Sequence, residues 1–320
     1  DDVIDARFLA LQLHSLWGQG YFQRICSNHV NQASVATRKL LETVITLPPL
    51  AEQRRIVAIL EDHLSRLDAA ADSLASARTR TSRFLRSLLS TLVGGNIRTG
   101  NCPTRTIVVG AQQHEFPATW TVGALVQFAD SVEYGTSAKT SANSDEPVIP
   151  VLRMGNIQDG ILDWASLKYL PQSHPDVLKL RLRPGDLLFN RTNSAELVGK
   201  CAVYREGDPD ATFASYLIRC RFSPSVLPEW AGMVINSSFG RAYIRSVMSQ
   251  QVGQANVNGT KLKAMPLPVP PVEEQRTLAD VFAEAQRGVR RTIEAVTNER
   301  SKSDQLKRSL LAAAFSGRLT

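Results

Sequence analysis

LPPLAEQRRIVAIL, residues 47–60, opens the stretch that decides how this chain folds, because it returns as VPPVEEQRTLADVF at 269–282. The offset is 222 residues and needs no gap, and Arg86-Ser87-Leu88-Leu89 likewise returns as Arg308-Ser309-Leu310-Leu311. Each copy predicts one long helix. Pro48, Pro49, Pro270 and Pro271 stand where a helix begins without losing a hydrogen bond. Glu52, Glu273 and Glu274 place carboxylates in the first turn, beside the positive end of the dipole. Gly94-Gly95 and Gly317 supply the stops. Between these signals Val57, Leu60, Leu64, Leu67, Ala71, Leu74, Leu85, Leu88 and Leu92 recur at spacings of three and four, a coiled-coil seam interrupted at Arg78 and Thr81.

A helix from Leu50 to Leu92 runs roughly 65 Å and cannot bury itself inside a small domain. The second copy, with a weaker seam at Ala279, Phe282, Val289, Ile293, Val296 and Leu310, is its expected partner, antiparallel so that both apolar seams are covered. Polar residues share a register in the two copies, Arg78 with Arg300 and Thr81 with Ser303. They read either as a solvated patch or as a polar layer that fixes register.

The repeat also extends upstream. Gly18, Tyr21, Gln32, Ala33, Val35, Lys39 and Leu40 reappear as Gly240, Tyr243, Gln254, Ala255, Val257, Lys261 and Leu262. Four segments follow: 1–47, the C-terminal part of a first domain; 48–98, a long helix and polar linker; 99–268, a full-length twin of that domain; and 269–320, the second long helix. The chain begins Asp-Asp, so residue 1 is not expected to be the native start. The twin is mixed in character. PVIPVLRMGNI (147–157), LRPGDLLFN (182–190), LVGKCAVY (197–204) and FASYLIRCRF (213–222) predict strands, and a helical section starts at Pro228. The fold class is α+β, with an antiparallel coiled coil.

The chain has 320 residues, 43% of them hydrophobic and 21% charged, which suits two or three ordinary globular domains. No stretch approaches the ~18 apolar residues of a membrane span, and no signal peptide is visible, so a cytoplasmic location is expected. Cys26, Cys102, Cys201 and Cys220 lack CxxC spacing and read as reduced thiols. The net charge of +7 suits a polyanionic partner. Within 219–263, Arg219, Arg221, Arg241, Arg245, Lys261 and Lys263 stand against one acid, Glu229. A basic face is therefore expected there.

No catalytic signature is present: there is no GxxxxGK[ST], no GxGxxG at a strand–helix junction, no HExxH and no GxSxG. Three polar loops suit nucleic acid instead. Asn190, Arg191, Thr192, Asn193 and Ser194 follow directly on the strand LLF, and Lys200 lies beyond them. Gln254, Asn256, Asn258 and Lys261 form a second group, and residues 135–140 with Lys139 a third. Arginine can hold guanine O6 and N7 together, and asparagine can do the same for adenine N6 and N7. Hydroxyls serve phosphate or base edges. Arg153 and Asn156, near a strand end, join the candidates, although Asn156 also reads as a turn residue.

PPLAEQRRIV, PPVEEQRTLA, GDLLFNRTNSAELVGK and QANVNGTKL together resemble the specificity subunit of type I restriction–modification systems, and the resemblance covers essentially the whole chain. It implies a non-catalytic subunit of two target-recognition domains, each reading half of a bipartite DNA site, held apart by two paired helices. The helices dock methyltransferase subunits, expected to be two, which in turn carry restriction subunits. S-adenosylmethionine, ATP and Mg²⁺ belong to those partners. By resemblance, 99–268 is the second recognition domain. Ile56, Ile59, Phe84, Leu278 and Phe315, apolar and off the seam, are the expected docking residues. An enzyme with a merged recognition module, or a coiled-coil adaptor with no DNA role, would leave the joint repetition of domain and helix unexplained.

Overall fold

A computed structural model of the chain describes residues 3–29, 32–94, 103–141, 147–251 and 253–316. The expected stops Gly95 and Gly317, with Cys102 and most of the polar linker, lie outside the described residues. Both long helices form, Leu50–Val93 and Val272–Phe315, each of 44 residues. Two compact units emerge, one of residues 1–82 and 288–320, the other of 83–287.

In the first unit, the start of one long helix packs on the end of the other. Ile56, Val57 and Leu60 form a core with Leu311 and Ala314, and Phe8 enters it from the short helix Ala6–Gly18. Asp5 caps that helix, accepting from the Arg7 and Phe8 amides. Asp68 and Lys307 pair across the seam. Half-buried positions then recur at Leu64, Leu67, Ala71, Leu74, Ala77 and Thr81. The seam thus passes through Ala77, and Arg78 turns to solvent, as does Arg300. Thr81 stays on the seam by donating its hydroxyl to the Ala77 carbonyl at 2.7 Å.

In the second unit, the last turns of the first helix (Leu88, Leu89, Leu92, Val93) share a core with the first turns of the second (Leu278, Ala279, Phe282). In the first unit residues 56–60 share a core with 311–314 and Asp68 pairs with Lys307, so the helices run antiparallel there. The core of the second unit also holds Trp120 and Trp230, edge to face at 5.4 Å, with the Trp230 indole donating to the Pro268 carbonyl. A four-stranded antiparallel sheet lies against it, in the order Cys201–Val203, Leu187–Asn190, Leu217–Phe222, Ala129–Tyr134. Leu187–Asn190 is buried along its whole length, as the apolar run LLF requires. Cys201 and Cys220 are free thiols inside this unit. Burial raises both, Cys220 to about 12, which keeps them protonated and inert.

The internal repeat is structural, not only sequential. The hairpin 27–29/32–34 recurs at 249–251/254–256, the short helix 37–41 at 259–263, and the long helix 50–93 at 272–315. The burial of matching residues differs sharply. Trp17 is 62% exposed, whereas its counterpart Phe239 is 2% exposed beneath Phe116 and His114. Leu40 is likewise exposed and its counterpart Leu262 buried.

Candidate nucleic-acid interface

Two of the three polar loops meet on one sheet. Thr192–Asn193 pairs antiparallel with Gln254–Asn256, Thr192 opposite Asn256 and Asn193 opposite Ala255, and Ser249–Gln251 completes three strands. The Asn256 side-chain amide donates to the Thr192 hydroxyl at 2.7 Å, and the Val257 amide donates to the Arg191 carbonyl at 2.9 Å. Residues more than sixty positions apart are thereby fixed in register. The cause is local: Asn190 ends a buried strand, and its successor is anchored by the Arg191 amide donating to the Tyr216 carbonyl. That leaves 192–193 free to pair with the hairpin.

Tyr134 joins the cluster. Its ring lies under the Arg191 guanidinium, 4.9 Å from centroid to carbon, and its hydroxyl accepts from the Gly259 amide at 2.7 Å. Asn258 caps the helix Gly259–Lys263, accepting from the Lys261 amide, and Lys261 donates to the Ser249 hydroxyl at 2.6 Å. Ser194, Gln254, Asn258 and Arg245 are exposed, while Thr192, Asn193, Lys200, Asn256 and Lys261 are half-buried. Lys139 is exposed in the loop after Thr136. Tyr216, like Tyr134, shows nearly half of its surface. Three buried polar atoms here have no hydrogen-bond partner among the described residues: Arg153 Nε, Asn190 Oδ1 and Arg191 Nε. No group of three His, Cys, Asp or Glu converges to hold a metal among the described residues. None of the described helices is long and apolar enough to cross a membrane.

No family model matches the chain. The specificity subunit of the type I restriction enzyme EcoKI from Escherichia coli K12 is 27% identical over 300 residues, which are 91% of this chain and 61% of that protein. The StySPI specificity subunit from Salmonella potsdam matches to the same degree, 27% over 299 residues, 91% of this chain and 60% of that protein. Over nine tenths of its length the chain is thus similar to type I specificity subunits. It spans about three fifths of the length of these relatives. A solved chain of the type I R-M system, 21% identical, shares the fold with a TM-score of 0.71, covering 99% of this chain and 72% of its own length.

Within this chain several expected contact residues prove to be spent internally. Asn156 is 3% exposed: its Oδ1 accepts from the Arg153 amide and its Nδ2 donates to the Asp163 and Ala165 carbonyls, so it builds a turn. Arg153 donates to the Ser166 carbonyl and steadies the same turn. Arg241 donates both terminal nitrogens to the Glu196 and Val198 carbonyls, and burial pulls its pKa below the usual guanidinium value. It holds the loop after Ser194 and is not free for phosphate.

The expected basic face is also smaller than its count of arginines. Arg219 is 1% exposed, 2.5 Å from Glu133 and 3.6 Å from Asp186, and Arg221 pairs with Asp186 at 2.6 Å. The Arg219 hydrogen bond holds the Glu133 carboxyl below the usual carboxylate range. Among the docking candidates, Ile56 and Leu278 are buried in the chain's own cores, and Phe315 packs edge-on to Phe8. Ile59 is half-buried and Phe84 is 55% exposed. Sequence reading missed Tyr134, because its place under Arg191 depends on the pairing of Tyr134 with Ile218, which no local pattern announces.

Proposed function

We propose that this chain is the DNA-reading, non-catalytic subunit of a type I restriction–modification complex. The domain within 99–268 reads one half of a bipartite duplex site, and the paired helices dock methyltransferase subunits, through which restriction subunits join. Adenine methylation and ATP-dependent cleavage then belong to those partners, together with S-adenosylmethionine, ATP and Mg²⁺. The carrying observation is the sheet that brings 192–193 and 254–256 together beside Arg191, so that amide, hydroxyl and guanidinium groups share one surface. Such a mixture fits base edges and phosphates alike.

The repeat supports the docking role. Phe84 and Leu306 are counterparts and are 55% and 54% exposed, and Val281, 48% exposed, is the counterpart of Ile59. Each long helix thus exposes an apolar side chain at the Phe84/Leu306 position, as two equivalent partners would require. The test is to combine the full chain with type I methyltransferase subunits and select from a pool of randomised DNA duplexes. Enrichment of a defined half-site that Asn193→Ala weakens supports the proposal. A complex that assembles yet enriches no sequence overturns it in favour of an adaptor.

A further inference from the structure

We infer that Tyr134 is the positioning residue that presents Arg191 to the DNA, and that it sets specificity without touching a base. This rests on the DNA-reading role proposed above. Arg191 starts the loop after the buried strand, where a long flexible side chain would ordinarily sample many rotamers. Here it is confined. Its Nε is buried without a partner among the described residues, and its side-chain hydrogen bond to the Ser215 carbonyl is long at 3.4 Å. What fixes the guanidinium plane is therefore the ring of Tyr134, 4.9 Å beneath it.

Tyr134 is itself held on two sides. Its backbone ends the strand Ala129–Tyr134, opposite Ile218, and its hydroxyl accepts from the Gly259 amide. Glycine at 259 is required for this approach, because a Cβ there would stand 2.9 Å from the Tyr134 hydroxyl oxygen. One side chain therefore ties together a sheet end, the 190–194 loop and the start of the 259–263 helix, and the last two bear candidate contact residues. A planar guanidinium held by stacking keeps its outer nitrogens available for bidentate bonding, which a freely rotating one achieves only at an entropy cost.

The test uses the full chain with methyltransferase subunits and the randomised duplex pool, for wild type, Tyr134→Leu, Tyr134→Phe, Arg191→Ala and Arg191→Lys. Tyr134→Leu is expected to blur the same base position that Arg191→Ala blurs. It should lower the preference for the enriched over a shuffled duplex about ten-fold, leaving affinity for the shuffled duplex unchanged. Tyr134→Phe, which keeps the ring, should retain that position, and Arg191→Lys, which keeps charge but loses the plane, should not. If Tyr134→Leu proves unfolded by its melting curve, the Phe and Lys variants still decide. A Tyr134→Leu protein with the wild-type consensus, or equal losses on both duplexes, overturns the inference. So does Tyr134→Phe blurring the Arg191 position, which would give the role to the hydroxyl. Wild type that enriches no sequence would instead remove the DNA-reading role, and this inference with it.

Discussion

Gln53 and Gln275, counterparts in the internal repeat, are both fully buried and make the same three hydrogen bonds. Gln53 donates to the Val3 and Pro48 carbonyls and accepts from the Asp5 amide. Gln275 donates to the Ser225 and Pro270 carbonyls and accepts from the Leu227 amide. In each half the side chain stitches the chain entering the domain's helical section to the proline-led start of the long helix. This is the physical reason for glutamine in the PPxxEQR signature: only a primary amide offers two donors and an acceptor at that reach.

Gln275→Leu and Gln53→Leu are each expected to destabilise the chain by roughly 2–4 kcal/mol, because buried amide and carbonyl groups lose their partners. Gln275→Glu should be as damaging, since a carboxylate cannot donate to the Ser225 and Pro270 carbonyls. Urea unfolding of the three variants checks this; midpoints within error of wild type would show that water replaces the glutamine.

The first long helix was legible in sequence to within a residue, and the second as its repeat within 269–320, because cap signals and apolar periodicity are local and mutually consistent. The strand LLF and the helix start at Pro228 were legible for the same reason. The site was legible only as loops. The polar run at 190–194 and the QANVN segment were both visible, but their pairing, the stacking on Tyr134 and the neutralisation of Arg219 by Glu133 and Asp186 depend on strand register across long separations. Counting arginines overstated the basic face because a buried guanidinium and a solvated one look alike in sequence. Asn156 shows the same limit, since an asparagine that reads bases and one that builds a turn share a residue type.

Stability should fall in acid partly through Glu133. Its carboxyl, hydrogen-bonded by Arg219, titrates below the ordinary value of 4.5. A carboxylate with a depressed folded pKa contributes stability above its unfolded pKa and loses it as pH drops through the folded value. Glu133 is 40% exposed, so the contribution is about 1 kcal/mol or less after screening. Glu133→Gln should therefore lower the melting temperature slightly at pH 7 and converge with wild type well below pH 4.5. A difference that persists unchanged into strong acid would assign the effect to packing.

Docking and folding residues on the helices should separate cleanly. Phe84→Asp and Leu306→Asp place charge at positions more than half exposed, so melting should change little, while recovery of methyltransferase subunits with the chain should fall together for the two counterparts. Ile56→Asp and Leu278→Asp bury an unpaired charge and should unfold the chain by several kcal/mol. Undiminished co-purification by the Phe84→Asp, Leu306→Asp double variant would place the docking surface elsewhere.

The repeat also separates two kinds of DNA contact. Gln254 and Lys261 are shared with the first half as Gln32 and Lys39, whereas Asn256 and Asn258 face Ser34 and Ala36 in the alignment of the halves. If the two halves read different bases, shared residues serve phosphate or scaffold, and differing ones carry sequence. Lys261 keeps its ammonium beside the Ser249 hydroxyl at the rim of the sheet, where it can reach a backbone phosphate. Lys261→Ala should weaken all duplexes alike and reduce the salt slope by about one. Asn193→Ala should instead cost roughly 1–3 kcal/mol on the enriched half-site and little on shuffled DNA. Asn256→Ala tests both halves of the argument. Its amide also holds Thr192, so loss on every duplex with a lowered melting temperature would make it scaffold, and selective loss with an intact fold would make it a reader. Titrations at two salt concentrations distinguish these outcomes. A Lys261→Ala protein that loses only the enriched sequence would reverse the assignment drawn from the repeat.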